Sequence, residues 1–214
     1  MSEMKYLAGV EVCQGLEADQ LAQVAECCRL VTAEDGKRII VASLFGNTTD
    51  CVDQARERLE AAGYEVLVFH STGMGGKTME SLIESGMGKG VLDVTTTEWA
   101  DELVGGTLSA GPSRLDAAAA AGIPAIVTPG CLAMANFGER DTVPARYEGR
   151  NFYIHNPQVT LMRTTPEECA ELGRILAEKV NAYTAPVTVL LPTRAISIIS
   201  AEGQPFHDPE ADAA

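Results

Sequence analysis

Residues 64–86, YEVLVFHSTGMGGKTMESLIESG, decide the fold. An apolar run of Val66, Leu67, Val68 and Phe69 stops at His70 and gives way to a segment with glycines at 73, 75 and 76. Beyond it, Met79, Leu82 and Ile83 recur at helical spacing. The succession reads strand, glycine loop, helix. Glycine has no Cβ, so the backbone there can turn sharply and bring N–H groups close to a ligand at the positive end of the helix dipole. A phosphate or carboxylate suits such a turn. The phosphate-loop pattern G-x-x-x-x-G-K-[ST] is met at Gly76, Lys77 and Thr78, but Ser71 stands where its first glycine belongs. Magnesium in such a site needs an acidic strand end, for which Asp93 is the candidate. A glycine-rich turn holding no ligand is the other reading of the same residues.

The same rhythm extends outward. Residues 39–42 read as a strand, 43–49 as a polar loop, and Cys51, Val52, Ala55, Leu59 and Ala62 as one helical face. Residues 90–94 form a third strand, followed by Thr95, Thr96, Thr97 and Glu98 and a helix over 99–104. A turn at Gly111-Pro112 leads to a helix over 114–121 and a strand over 125–127. Continuous apolar strands alternating with helices mark a parallel sheet covered on both faces. The expected fold is therefore α/β over 38–214, a doubly wound, mostly parallel sheet of the Rossmann-like, three-layer αβα kind. Residues 1–37 differ in composition and read as a short helical appendage or remnant, with an amphipathic helix over 17–29.

After Gly130 the rhythm loosens, and residues 131–164 read as a long irregular segment of the functional or mobile kind. Thr165, Pro166 and Glu168 spell a capping box for a helix that buries Cys169, Leu172, Leu176 and Val180. Residues 187–191 form a last strand, and 204–214 read as a frayed tail.

Ligands of doubly wound sheets gather beyond the carboxyl ends of the strands. Several polar groups converge there: Asn47, Thr48 and Thr49; Thr72, Gly73, Gly75, Gly76 and Lys77; and Thr95, Thr96 and Thr97. Gly111 and Arg114 join them, because a cation at a helix start is otherwise unfavourable and calls for an anion. Asn156 and Arg163, in the irregular segment, could grip a carboxylate or phosphate. His70, His155 and Glu98 are the candidates for acid/base work. Each has a bland alternative: a strand cap for His70, a self-bonded loop for His155, a first-turn acid for Glu98.

The 214 residues, 46% of them hydrophobic, suffice for a sizeable core. A formal net charge of -14 and a pI near 4.6 argue against nucleic acid or an anionic membrane as partner. No apolar run approaches the roughly 20 residues that span a bilayer, and a cytoplasmic location is expected. Cys13, Cys27, Cys28, Cys51, Cys131 and Cys169 show neither zinc nor disulfide spacing and read as reduced, mostly buried thiols.

The segments ASLFGNTTDCV, VFHSTGMGGKTME, GVLDVTTTEWADEL, GGTLSAGPSRLDAAAAAGIP, NFYIHNPQVTLMRT and GQPFHDPEAD are long and ungapped. Over about 38–212 they resemble the second half of the tomato mosaic virus resistance protein-like ATP-binding domain family. The resemblance implies a Rossmann-like domain that follows another α/β domain in full-length members, with ATP or another nucleotide, and magnesium, as the associated ligands. The chain departs from that pattern in several places. The preceding half is replaced by residues 1–37, Ala133 stands where the family has a carboxylate, Lys77 where it has arginine, and the chain stops short of a terminal helix, as a fragment would.

Three functions compete. The first is a module binding a nucleotide or other small anionic ligand at the glycine loop and strand ends. The second is a hydrolase or transferase acting on a phosphorylated or carboxylated substrate through His70 or His155. The third is an interaction domain, either a homodimer or the partner of an upstream α/β domain.

Overall fold

The computed structural model describes residues 36–214. The helix expected over 17–29, and Cys13, Cys27 and Cys28, lie outside the described residues. The chain runs β1 (Ile39–Leu44), α1 (Thr49–Ala61), β2 (Glu65–His70), α2 (Met74–Glu84), β3 (Gly88–Asp93), α3 (Glu98–Val104), α4 (Asp116–Ala121) and β4 (Ala125–Val127). It continues through β5 (Met134–Phe137), β6 (Phe152–Asn156), β7 (Val159–Arg163), α5 (Pro166–Asn181), β8 (Val187–Val189) and α6 (Pro209–Ala213).

Five strands form one sheet in the order β2-β1-β3-β4-β8, with every pair parallel. This is the mostly parallel α/β sheet that the apolar runs predict. Alternate residues of each strand face opposite layers. Val41, Val91 and Val127 pack with Met79 and Ile83 of α2, Trp99 of α3, Ala117 of α4 and Leu172 and Leu176 of α5 in the main core. Ala42 and Val66, on the other face, pack with Val52 of α1. Among the described residues, helices therefore cover both faces, four on one and one on the other.

The capping box is in place: the Thr165 hydroxyl accepts from the Glu168 N–H, and the Glu168 carboxylate accepts from the Thr165 N–H.

Two expectations need correction. Residues 131–164 are not a long irregular loop, because β5, β7 and β6 form a three-stranded antiparallel sheet in that order. All four residues of β5 are buried, so it lacks the alternation that marks a half-exposed strand. Residues 204–214 are not frayed either. Phe206 is fully buried against Cys131, Met134 and Leu161, and Asp208 caps α6 by accepting from the Ala211 N–H. Of the described cysteines, Cys131 is buried, Cys169 half-buried and Cys51 exposed, which narrows the expectation of burial to one of three.

Candidate functional site

The glycine segment is shorter as a loop than the sequence implies, because α2 begins at Met74 and takes Gly75, Gly76 and Lys77 into its first turn. The reason for each glycine is local. A Cβ on Gly75 would run into the carbonyl oxygen of His70, and one on Gly76 into the Glu98 carboxylate. Gly73 adopts φ +82°, and a Cβ there would crowd the Ser109 carbonyl. Replacing Gly75 with alanine therefore sets a side chain against backbone that cannot yield. The expected cost is about 1–3 kcal/mol or more, read as a lowered urea midpoint at unchanged m.

The anion at this turn is the protein's own. Glu98 Oε1 accepts from the Gly73 N–H at 2.7 Å and the Gly76 N–H at 3.1 Å, while Oε2 accepts from Arg114 Nε at 2.7 Å. Arg114 is 1% exposed and spends all its donors internally. Its Nη1 bonds Asp93 Oδ2 at 2.6 Å and Glu80 Oε1 at 3.0 Å, and its Nη2 bonds Asp93 Oδ1 at 2.7 Å and the Thr95 carbonyl at 3.4 Å. A guanidinium has five N–H groups, so none is left for a ligand. Asp93, the expected magnesium ligand, gives both oxygens to Arg114 and one also to Ser43 Oγ at 2.6 Å. Glu80 goes on to accept from the Leu115 and Ala117 N–H groups at 2.8 Å each, fixing α4.

Three carboxylates thus surround one cation. Burial pushes the Glu80 and Glu98 carboxyls above their ordinary range, and Arg114 only partly offsets this. Burial also disfavours the charged Arg114, but Asp93, Glu98 and Glu80 outweigh it and hold the guanidinium firmly protonated.

The threonines after the strands knit the same edge. Thr48 Oγ1 and Thr95 Oγ1 share a hydrogen bond of 2.7 Å, joining the ends of β1 and β3. Thr96 Oγ1 donates to the Thr128 carbonyl and Thr97 Oγ1 to that of Met134. Thr49 bonds back to the carbonyls of Phe45 and Gly46, and Thr72 to that of His70. Gly111 turns at φ +87° and receives the Arg114 N–H on its carbonyl. His70 pairs in register with Leu44 and stacks on Phe45, ring centroids 5.3 Å apart. Partial burial lowers its pKa, favouring the neutral imidazole. Asn47 reaches only the Met134 sulfur, at 3.9 Å, and Lys77 is exposed.

His155, Asn156 and Arg163 lie on the antiparallel sheet, apart from these strand ends in the topology. Asn156 Oδ1 accepts from the Gln158 N–H and forms the β6–β7 turn. Arg163 is buried; it bonds the carbonyls of Phe206 and Asp208 and pairs with Asp212, so it anchors the C-terminal segment. Cys131 combines φ +63° with complete burial, and burial pushes its thiol up to about 12, which leaves it inert as a nucleophile. Sequence reasoning missed Glu80, Ser43 and Phe45. Only their long-range partners reveal them.

Residues 37–214 match the model of the Uncharacterised protein family (UPF0261) C-terminal domain. The chain belongs to this family. Among similar proteins, a UPF0261 protein of Clostridium tetani is 54% identical over 178 residues, and one of Rhizobium meliloti is 49% identical over 178. Each alignment covers 83% of this chain and 44% of the relative. The ToMV resistance protein Tm-1(GCR237) of Solanum lycopersicum is 45% identical over 177 residues, 83% of this chain and 24% of that protein. The chain therefore spans less than half the length of the relatives it matches. In this UPF0261 C-terminal domain, the buried Arg114 network lies wholly inside the matched span.

Proposed function

We propose that this domain binds a small anionic molecule at the carboxyl ends of β1, β2 and β3, with a nucleotide as the favoured class. The observation that carries this reading is the strand order, which reverses between β1 and β3. β1 runs to β2 on one side while β3 lies on the other, which is the topological switch point where such sheets take ligands. The glycine turn serves this site indirectly: with the Gly73 and Gly76 N–H groups spent on Glu98, it forms a wall and not a phosphate cradle. The groups with capacity left are Asn47, Thr49, His70 and Lys77. The stacked Phe45 and His70 rings offer a plane for a base, and Lys77 a cation for a phosphate. Magnesium, if it enters, comes with the ligand, because Asp93 is committed to Arg114.

The test is a thermal shift of the full chain against ATP, ADP, AMP, cyclic nucleotides and inorganic phosphate, with and without magnesium. A ligand at about 100 times its dissociation constant stabilises by roughly 2.7 kcal/mol. Lys77→Ala and Asn47→Ala remove no buried side chain and should leave the unliganded melting point unchanged while weakening the shift. A panel that moves nothing, or a shift indifferent to both substitutions, refutes this site.

A further inference from the structure

At the amino-terminal ends of the strands, a groove of about 480 Å³ is lined by Arg38, Ile40, Tyr64, Lys89 and Pro124. Arg38, Tyr64 and Pro124 immediately precede β1, β2 and β4, and Lys89 is the second residue of β3. The strand order β2-β1-β3-β4 brings them together. Lys89 arrives there through an irregularity. β1 and β3 pair Ile39 with Gly88 and Ile40 with Gly90, so Lys89 is left over in the ladder. The Cβ position of Gly88 faces Ile83 and Val41, and that of Gly90 faces Ile40. These neighbours pack in different cores on opposite faces of the sheet, although residues two apart in a regular strand share a face. Such a bulge is rare between parallel strands, and its effect is to re-aim a side chain. The Lys89 ammonium is then held by the Gly86 carbonyl at 2.7 Å, which leaves two of its three donors. Gly90 has a reason of its own: a Cβ there would stand 3.0 Å from Ile40 Cδ1, so glycine leaves the isoleucine room to lie in the groove.

We propose that this groove is a second ligand site, for a small molecule that joins one anionic group, a phosphate or a carboxylate, to an apolar body. Both charged lining residues are cationic, in a chain whose net charge is -14, and no aspartate or glutamate is among the lining residues. Elsewhere among the described residues, Arg56, Arg114, Arg150, Arg163, Arg174 and Lys179 each pair with a carboxylate of the chain. Two like charges on one groove repel each other, and an anion between them reverses that cost. The guanidinium offers it a planar fork and the ammonium a point charge. Ile40 and Pro124 supply apolar surface, and Tyr64 a ring with a hydroxyl donor. An apolar wall with a few polar groups is the composition of a small-molecule pocket, and such pockets measure about 300–1,000 Å³. The site is independent of the nucleotide reading, since Arg38 and Lys89 stand at the opposite ends of the strands from His70 and Lys77.

Calorimetric titration of the full chain with phenyl phosphate and with benzoate tests this, with inorganic phosphate and benzyl alcohol as controls that carry only the charge or only the apolar body. At least one of the two aryl anions should bind, about tenfold or more tightly than either control. Arg38→Gln and Lys89→Gln should each weaken that binding about tenfold or more while the melting point of the free protein stays unchanged, and Lys77→Ala should leave the affinity as it is. A second readout needs no substitution. In the unaltered chain the bound probe should slow acetylation of Lys89 by about threefold or more and leave that of Lys77 unchanged, read by peptide mass mapping. Failure of both aryl anions to bind, equally tight binding of a control, or binding indifferent to Arg38 and Lys89 overturns the proposal. Protection of Lys77 in place of Lys89 overturns it too, and assigns the probe to the carboxyl ends of the strands.

Discussion

Arg114→Met should cost about 3–5 kcal/mol at pH 7.5, and the loss should shrink as the pH falls. The substitution keeps much of the volume and the apolar stem but removes the one cation among Asp93, Glu98 and Glu80, of which the first two are 1% exposed or less. Breaking a buried ion pair leaves uncompensated charge, with costs of about that size. Against a typical total stability of about 5–15 kcal/mol this is a large fraction. For a chain of this length it corresponds to a fall in melting temperature of roughly 6–20 °C. The pH dependence follows from the direction of the shifts. Glu80 and Glu98 already have folded pKa values raised by burial, and removing Arg114 raises them further. A raised carboxyl pKa means stability that is full below the unfolded value and lost as the pH rises through the folded one. Urea melts of the variant at pH 5 and pH 7.5 should therefore converge on wild type at the acid end. A variant as stable as wild type at pH 7.5 would show that the carboxylates do not need their cation. Arg114→Lys should recover little, because an ammonium cannot reproduce two parallel bonds to Asp93 together with one to Glu98.

The same network shows what a sequence can and cannot disclose. Apolar runs ending in polar clusters reveal the parallel sheet because strand and helix periods are local properties, and so does the capping box at Thr165 and Glu168. Arg114 drew notice for a local reason too, a cation where the helix dipole disfavours one. Its partners could not be read the same way. Glu98 lies 16 residues before it, Asp93 21 and Glu80 34, and nothing in the spacing says that they meet at one point. Glycine is ambiguous for a related reason: Gly76 gives way to a carboxylate, but a sequence does not say whether that carboxylate arrives from a ligand or from elsewhere in the chain. The antiparallel sheet stayed hidden because β5 is buried throughout, and the C-terminal segment because one aromatic, Phe206, and one acid, Asp212, hold it from a distance.

Asp101→Asn should leave stability nearly unchanged at pH 4 and raise it above wild type at pH 8, with the gap widening by an amount on the order of 3 kcal/mol. Asp101 is fully buried, and Gly106 makes room for it, since a Cβ there would strike its carboxylate. Burial raises its pKa from 3.8 to about 6, although Asn136 and the Leu108 N–H favour the charged form. The folded state holds the proton more tightly than the unfolded chain, so this group's contribution is full below pH 3.8 and declines as the pH rises through about 6. Asparagine imitates the protonated form at every pH and should flatten that slope. The surroundings accommodate it. Asp101 Oδ1 accepts from the Leu108 and Asn136 N–H groups at 3.1 and 3.0 Å, a role the amide oxygen keeps. Oδ2 accepts from Asn136 Nδ2 at 2.8 Å, and Asn136 Oδ1 is buried with no partner. Turning the Asn136 amide by half a revolution presents that oxygen to the new amide nitrogen, which keeps the hydrogen bond between the two side chains with donor and acceptor exchanged and leaves Asn136 Nδ2 where the unpartnered oxygen stood. Asp101→Ala offers no such exchange; it strands both backbone N–H groups and should lose about 1–3 kcal/mol for each. Urea melts from pH 4 to pH 8 on the three proteins separate these cases, and an Asp101→Asn protein that keeps the wild-type slope would assign the titration to Glu80 and Glu98 instead.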